Sequence, residues 1–319
     1  MPDPFFSICI PCFNSRRFLA ATLESVSSQR YPHWELIVVE DGSREPVADL
    51  VDAFRAAVTQ SVRYLAHPAN RGLPAARDTA IAAAQGSHVA LLDSDDLWRP
   101  DHLEQLAAAI GTTNADITFS AFEMFESTTG ETIGTFRPTA EDLARFADHL
   151  FCQRFWVIPS AIAVRRSLFS RLGPWSADMD RPSRRLSPPP SRGEDTNFWL
   201  RALHAGVTWS FSQACTLRYR RHGESVSKKF NDAVIYQSLV YNVHGPLPGP
   251  DRREQVAFIS RLNTNGGKLL CRFGDRRAVF LFWWAWTWRP TRLVNLVLIP
   301  SAAAAPAFAA RVLHRLKLL

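Results

Sequence analysis

This 319-residue sequence has few cysteines and lacks the phosphate-binding loop of P-loop enzymes. Five cysteines, an odd number without regular spacing, argue against a disulfide framework and favour a reducing compartment. The first residues include no basic segment before an apolar one, so we expect no secretory signal. The pattern GxxxxGK[ST] is absent, which argues against a P-loop kinase.

Two further features of the sequence argue against particular classes of enzyme. Cys9 and Cys12 have the CxxC spacing of redox motifs, but they fall on a predicted strand and not at a helix start, so we predict two buried thiols. Residues 11–15 after that strand hold none of the Gly and basic residues that a nucleotidyltransferase needs there to bind phosphate. A redox enzyme and a nucleotidyltransferase are therefore disfavoured.

The net positive charge of the chain lies in its C-terminal segment. Residues 251–319 hold twelve Lys and Arg against three Asp and Glu, a net charge of +9, so the other 250 residues carry −2 of the total of +7. A nucleic-acid-binding domain needs a basic face on its folded part. We therefore expect no nucleic acid among the partners.

Short apolar runs alternate with helical periodicities along the first hundred residues. Strands that alternate with helices predict a parallel, doubly wound α/β sheet. The predicted strands are 5–10, 34–39, 62–65 and a run that ends at Asp93, and the predicted helices between them are 17–29, 46–58 and 73–85. Further along the chain we predict a helix over 100–110, strands over 116–122 and 160–164, and a helix over 194–203.

Three carboxylates follow the fourth predicted strand within four residues. Asp93, Asp95 and Asp96 come directly after the apolar run 88–92, and ligands of open α/β sheets bind where such strands end. Packed carboxylates repel one another unless a cation lies among them, and Mg²⁺ and Mn²⁺ prefer oxygen ligands. The alternative is a solvated loop in which Asp96 caps a helix.

Six short segments between residues 5 and 227 are most informative when taken together. They are Ser7–Asn14 (SICIPCFN), Val38–Ser43 (VVEDGS), Asn70–Asp78 (NRGLPAARD), Leu92–Asp96 (LDSDD), Gly193–Asp195 (GED, followed by FWLR at 198–201) and Arg221–Ser225 (RHGES). In order and spacing they resemble family 2 glycosyltransferases, inverting enzymes with a GT-A fold. LDSDD resembles the DxD motif of that family, GED its ED motif and RHGES its late His motif.

The resemblance implies a metal-assisted departure of a nucleoside diphosphate. Asp95, Asp96 and His222 would bind Mg²⁺ or Mn²⁺, which offsets the charge that develops on the β-phosphate. Asp93 would lie nearer the ribose, and Asp95 would also contact the nucleotide sugar. Which acid takes which role stays open.

The nucleoside is expected at the ends of the first two strands. By resemblance, Asp41 accepts a hydrogen bond from uracil, Phe13 stacks on the base, and Pro11 and Asn14 shape the loop. The alternatives are a turn residue for Asp41 and an ordinary core aromatic for Phe13. Family members more often have Asp where Glu40 stands.

Basic residues are expected on the diphosphate. Arg71 and Arg77 are candidates because a guanidinium donates in a fork that matches phosphate, and His222 is another. Alternatively, Arg77 pairs only with Asp78 or Asp93. For His222 the alternative is a surface histidine without a role in binding. Asp78 stands where the family usually has Asn.

An inverting transfer needs one base to take the proton of the attacking hydroxyl. By resemblance we assign that role to Asp195, with Glu194 as second candidate. The alternative is that both acids only stabilise a helix N-terminus. Glycosidases also use two carboxylates, but a glycosidase would not explain the nucleotide features at the strand ends.

The sequence therefore predicts an α/β, GT-A enzyme that moves a sugar from a UDP-sugar to a glycan or lipid-linked acceptor. Residues 1–227 would form the catalytic domain, with 1–98 as its nucleotide-sugar half and 99–227 as its acceptor half. Residues 228–319 would form a helical extension. Its Trp-rich and basic composition predicts peripheral attachment to an anionic membrane surface on the cytoplasmic face. The non-enzyme alternative is an inactive scaffold of the same fold.

Overall fold

The computed structural model of the protein describes residues 3–177, 193–223, 230–272, 275 and 277–289. They belong to two compact units. The first unit contains 3–177 and 205–223, and the second contains 193–204 and the described residues from 230 onward. The domain boundaries expected from the sequence stay predictions. The Pro- and Arg-rich segment 181–192, predicted to be a loop, lies outside the described residues.

Strands and helices alternate in the first unit, as the apolar runs predict. β1, β2 and β3 each extend two residues beyond the predicted runs, because pairing with the neighbouring strand continues there, whereas β4 ends at Leu91, before the predicted end at Asp93. In chain order the elements are β1 Phe6–Cys12, α1 Arg16–Ser27, β2 Trp34–Asp41, α2 Ala48–Ala57, β3 Val62–His67, α3 Leu73–Ala83, β4 His88–Leu91, β5 Leu97–Trp98, α4 His102–Thr113, β6 Ile117–Glu126, β7 Thr132–Phe136, α5 Ala140–Ala144, α6 Phe146–Phe151, a 3₁₀ turn Pro159–Ala161, β8 Ile162–Arg165, α7 Leu168–Leu172 and, after the second unit's first helix, β9 Trp209–Arg221.

The strands form one sheet in the order β3-β2-β1-β4-β8-β6-β9-β5, and β7 pairs with β6. β1 runs parallel to β2 and β4, and β2 runs parallel to β3. β6 and β9 are also parallel, whereas β8, β7 and β5 are antiparallel to their neighbours. The carboxyl ends of β1, β2 and β4 therefore meet at one edge, which is where ligands of such sheets bind.

The two central strands β1 and β2 are buried along their whole length, as expected for parallel strands covered by helices on both faces. Cys9 and Cys12 on β1 are free and buried, which confirms the prediction of two buried thiols. Burial raises the pKa of both thiols, that of Cys12 to about 12. Both cysteines therefore stay protonated at neutral pH.

The second unit is helical. It contains α8 Glu194–His204, α9 Phe230–His244, α10 Arg252–Arg272 and α11 Ala278–Trp288. Helices α10 and α11 pack closely because Gly266 and Gly267 lack side chains: a Cβ there would lie 2.8 Å from Leu281 Cδ1 and from Phe282 Cε1 respectively. The predicted helical C-terminal part is thus confirmed for the described residues.

Across the residues that the structure describes, every helix is too short or too polar to cross a bilayer. The uncharged segment 293–310, which the sequence marks as barely long enough to span, lies outside those residues.

Candidate functional site

The candidate site lies at the edge where β1, β2 and β4 end. Asp41 is the last residue of β2, and the loop 92–96 follows β4. Leu92 N–H donates to the carbonyl of Cys9 at 3.1 Å, so this loop stays beside β1. The acids that the sequence places after two different strands are therefore brought to the same edge.

Asp41 is buried and its carboxylate is fully engaged by the fold. It accepts hydrogen bonds from the backbone N–H groups of Arg71 and Gly72 at 2.9 and 2.8 Å, and it contacts His67 Nδ1 at 2.6 Å. Gly42 makes this possible, because a Cβ there would lie 2.5 Å from the backbone of Ala69. Asp41 thus fixes the loop that leads into α3, and its contact with uracil stays a prediction.

The loop after β1 presents an aromatic ring to solvent. Phe13 is 50% exposed, which fits a ring available for stacking better than a core aromatic. Asn14 has a left-handed φ of 51°, and its side-chain oxygen accepts from Arg44 N–H at 3.0 Å. Pro11 is buried at the end of β1 and lies beside Val39 of β2. Phe13 and Asn14 therefore sit on a loop held against the end of β2.

Arg77 and Asp93 form a partly buried ion pair. The guanidinium lies on α3 and is 1% exposed, and its Nη2 donates to Asp93 Oδ1 at 2.7 Å. Asp93 N–H donates to the hydroxyl of Ser160 at 3.0 Å. Arg71, by contrast, is exposed on the loop before α3. Of the two arginines considered for the diphosphate, Arg77 thus orients Asp93 in this structure and Arg71 faces solvent.

Asp96 is the most enclosed of the three acids, with 0% exposure. One carboxylate oxygen accepts from Ser160 Oγ at 2.6 Å, and the other accepts from the backbone N–H of Arg220 at 2.9 Å. Burial and the charges of Asp95 and Asp93 raise the pKa of Asp96 well above its usual value. These contacts tie the acid loop to the 3₁₀ turn before β8 and to β9, and they favour a structural role over the predicted metal contact.

Substitution of Asp96 distinguishes those two roles. We expect Asp96→Ala to lower the free energy of unfolding by roughly 2–4 kcal/mol, because it leaves two buried donors without acceptors. Asp96→Asn should lose less than half as much, since an amide can accept from Arg220 N–H and donate to Ser160. Urea unfolding measures both. If Asp96→Asn keeps its stability but loses Mn²⁺-dependent UDP binding, Asp96 is a metal ligand after all.

Asp95, like Asp93 with its 27% exposed side chain, is partly exposed, whereas Asp96 is enclosed. The side chain of Asp95 is 32% exposed, and its Oδ2 lies 2.9 Å from Nε2 of His222. Nδ1 of His222 lies 3.4 Å from Nη2 of Arg17. Because arginine can only donate, Nδ1 accepts and the Nε2 hydrogen is donated to Asp95. Burial and Asp93 raise the pKa of Asp95, while His222 acts in the opposite direction.

The donor set at Asp95 fits a magnesium or manganese ion. Among the residues that the structure describes, no three His, Cys, Asp or Glu side chains converge on one point. Mg²⁺ does not require such a cage, since it takes one or two carboxylates and completes its shell with phosphate oxygens and water. Asp95 supplies such a carboxylate, with His222 beside it. The metal role of both residues stays a prediction.

Glu194 and Asp195 open helix α8 of the second unit. Glu194 is 7% exposed, and Asp195 is half-buried with its Oδ1 accepting from the N–H of Thr196 at 2.7 Å. Acids in a first turn stabilise the helix dipole. Asp195 is partly exposed at this helix start, which is compatible with the predicted role of base.

Several residues of the site carry no signal in the sequence. Ser160 begins a short apolar run and looks like a strand residue, yet its hydroxyl contacts both Asp93 and Asp96. Thr22 sits inside helix α1, and its hydroxyl donates to the carbonyls of Ser94 and Asp96 at 3.0 and 2.9 Å. These contacts join residues 64–74 positions apart, which local patterns do not encode.

Comparison with known proteins decides the family. The sequence model described as "Glycosyl transferase family 2" matches residues 7–173, just over half of the chain. The chain belongs to glycosyltransferase family 2. The resemblance inferred from the six segments is thereby confirmed, and so is the expectation that this is a glycosyltransferase.

Curated relatives of this family 2 glycosyltransferase cover part of it. The chain is 30% identical over 127 residues to the Escherichia coli UDP-Glc:alpha-D-GlcNAc-diphosphoundecaprenol beta-1,3-glucosyltransferase WfgD, which is 40% of this chain and 49% of that protein. It is 25% identical over 179 residues to glycosyltransferase GlyG of Streptococcus pneumoniae serotype 4, covering 52% and 58%. The chain thus spans about half the length of the curated relatives it matches.

Solved structures support the fold over nearly the whole chain. S. aureus TarS 1–349 in complex with UDP matches with a TM-score of 0.65 at 17% identity, covering 98% of this chain and 92% of that one. The mannosyltransferase PcManGT from Pyrobaculum calidifontis, in complex with GDP-Man and Mn²⁺, matches with a TM-score of 0.61 at 14% identity, covering 99% and 88%. These likenesses confirm the predicted GT-A fold.

Proposed function

We propose that this family 2 glycosyltransferase is metal-dependent and inverting. It moves a sugar from a nucleotide sugar, preferably a UDP-sugar, to a hydroxyl of a glycan or lipid-linked acceptor during cell-surface polysaccharide synthesis. One observation carries the proposal: a partly exposed carboxylate, Asp95, lies on the loop after β4 at the edge where β1 and β2 also end. That position is where an α/β sheet binds a nucleotide.

Different side chains at this edge would bind different parts of the donor. Phe13 offers a ring face to the base, and Asp41 fixes the backbone of Arg71 and Gly72 beside it. Arg77 holds Asp93 by a hydrogen bond, and Asp93 would lie near the ribose. Asp41 and Arg77 are held by hydrogen bonds in the fold, so these two side chains lose little conformational entropy when the donor binds.

Asp95 would hold the metal, which would offset negative charge on the departing diphosphate. His222 donates from Nε2 to Asp95 in this structure, so it orients that carboxylate. Asp195 accepts the proton of the acceptor hydroxyl as its oxygen attacks the anomeric carbon. Attack opposite the leaving group inverts the anomeric configuration.

Two relatives support the choice of donor and acceptor. TarS was solved with UDP and with UDP-GlcNAc, and WfgD is named for a UDP-Glc donor and a diphosphoundecaprenol-linked acceptor. An acceptor on a lipid would bring this chain to the cytoplasmic face of a membrane. Helix α11 fits that location, because Phe280 and Trp283 are 48% and 50% exposed and aromatic residues favour the membrane interface.

A ligand screen tests the proposal directly. We expect UDP-sugars with Mn²⁺ to raise the melting temperature, since a ligand at 100 times its Kd adds about 2.7 kcal/mol of stability. The same sugars with EDTA should raise it much less, and GDP-sugars serve as the matched controls. Proton NMR of the product of the best donor then reports the anomeric configuration. A retained configuration, or a shift independent of metal, would contradict the proposal.

A further inference from the structure

The first unit presents the indole ring of Trp156 at its surface. Trp156 is 54% exposed, whereas its neighbours Phe155 and Val157 are 9% and 4% exposed. The chain is therefore anchored in the core on both sides of Trp156, and this anchoring leaves the ring in contact with solvent. Exposed apolar surface that adjoins a functional site is typical of a ligand-binding surface.

A row of aromatic rings supports Trp156 from the interior. The centroid of the Trp156 ring lies 5.3 Å from that of Phe136 on β7, and the Phe136 ring stacks on Phe122 of β6 with centroids 4.9 Å apart. Tyr219 of β9 contacts Phe122 in turn, at 6.2 Å. Gly134 leaves room for this row, because a Cβ there would lie 3.3 Å from Phe136 Cε2. The row runs from buried Phe122 to exposed Trp156, so packing holds the last ring and little freedom is lost when a ligand binds it.

The sheet topology places Trp156 at the edge that carries the acid loop. Strand β8 runs antiparallel to β4, so the segment that precedes β8 lies at the carboxyl end of β4. Trp156 belongs to that segment and comes four residues before Ser160, whose hydroxyl contacts Asp93 and Asp96. Four residues span at most about 14 Å. The Trp156 ring is therefore one or two sugar lengths from the acids.

Trp156 lies on the side of the acid loop that is away from the nucleoside. In the strand order β2-β1-β4-β8-β6, Phe13 and Asp41 lie at the ends of β1 and β2, whereas Trp156 leads into β8. A donor whose base lies at β1 and β2 and whose diphosphate lies at the acid loop would extend its sugar toward β8 and β6. The acceptor has to meet that sugar, so its own sugar ring would approach from the side of Trp156.

We infer that Trp156 binds a pyranose ring of the acceptor by stacking on its apolar face. The axial C–H groups on one face of a pyranose carry a small positive charge, and the face of an aromatic ring is negative. A neutral sugar offers no charge for an ion pair, so a flat, rigid ring provides area that it can cover. The inference rests on the proposed function, which supplies the acceptor hydroxyl, and it names a side chain that lies outside all six sequence segments.

Steady-state kinetics with both substrates varied test this assignment. Trp156→Ala and wild type are assayed with Mn²⁺ and the UDP-sugar that the ligand screen selects. The acceptor is the one that wild type uses fastest among the methyl glycosides of glucose, galactose, mannose and N-acetylglucosamine and the geranyl diphosphate of N-acetylglucosamine. We expect the KM for the acceptor to rise roughly tenfold, because the variant loses an aromatic contact and the apolar area that it covers. The KM for the donor should stay within twofold.

Two further variants separate stacking from a structural role. Trp156→Phe keeps a ring and should recover most of the loss in the KM for the acceptor. Ile133→Ala is the matched control, because Ile133 is 55% exposed and lies three residues from Phe136 on β7, so its side chain points to the other face of the strand. It should leave both KM values unchanged.

Three results would overturn the inference. The first is a Trp156→Ala variant with the wild-type KM for the acceptor, and the second is an equal rise in both KM values, which a structural role would produce. The third is a Trp156→Ala variant that transfers as wild type does but no longer binds phosphatidylglycerol vesicles, since Trp156 would then be a membrane contact. Failure of the wild type to turn over any UDP-sugar with Mn²⁺ would instead overturn the proposed function.

Discussion

Asp195→Asn is expected to lower kcat by about 10³-fold while UDP binding stays within twofold of wild type. The amide has the size of the carboxylate but cannot take a proton, and general-base catalysis contributes typically 10²–10⁴-fold. The side-chain oxygen can still accept from Thr196 N–H, as Asp195 does at 2.7 Å, so helix α8 should keep its first turn. Initial rates of sugar transfer and calorimetric titration with UDP and Mn²⁺ give the two quantities.

Glu194→Gln is the matched control for Asp195→Asn. Glu194 precedes Asp195 in the same helical turn but is buried, at 7% exposure, so its carboxylate is less accessible to an acceptor hydroxyl. We expect its kcat to fall less than tenfold. If Glu194→Gln shows the large loss and Asp195→Asn does not, the two roles are exchanged. Full turnover in both variants would show that neither Glu194 nor Asp195 takes part in the reaction.

Asp95→Asn is expected to abolish the effect of metal on donor binding. Without the carboxylate charge, the affinity of UDP in the presence of Mn²⁺ should fall to the value that wild type shows in EDTA. Turnover should fall by about 10²–10³-fold, the usual cost of losing one electrostatic contact to a transition state. Titrations of UDP at several Mn²⁺ concentrations measure the first effect and initial rates the second.

The control for Asp95→Asn is an acid of the same unit away from the sheet edge. Asp52→Asn serves, because Asp52 is exposed on α2 and pairs with Arg55. It should bind UDP and turn over as wild type does. A variant Asp95→Asn that keeps its response to Mn²⁺ would show that another residue holds the metal.

The order of strands and helices in the nucleotide half could be predicted because it depends on local patterns. Apolar runs of four to eight residues mark β1, β2 and β4, and the acids Asp41 and Asp93 mark where strands end. The sequence also indicated that these ends share one edge, since parallel strands point the same way. The sheet is antiparallel at β8, β7 and β5, and their pairing partners depend on long-range contacts that local periodicity does not show.

The roles of neighbouring acids could not be predicted from spacing. Asp95 and Asp96 are adjacent in the sequence, yet one is 32% exposed on its side chain and the other is enclosed. The difference arises from Ser160 and Arg220, which reach Asp96 from 64 and 124 residues away.

The buried thiols of β1 make a reporter of the sheet's integrity. Cys9 and Cys12 are three residues apart on one strand, so their side chains point to opposite faces, and their Cα atoms are separated by roughly 10 Å. A disulfide needs Cα atoms closer than about 7 Å, so oxidants have no bond to close there. An alkylating reagent will reach these two sulfurs only when the central strand opens, so their rate of reaction, followed separately from that of the partly exposed Cys152 and Cys215, counts those openings without any added label.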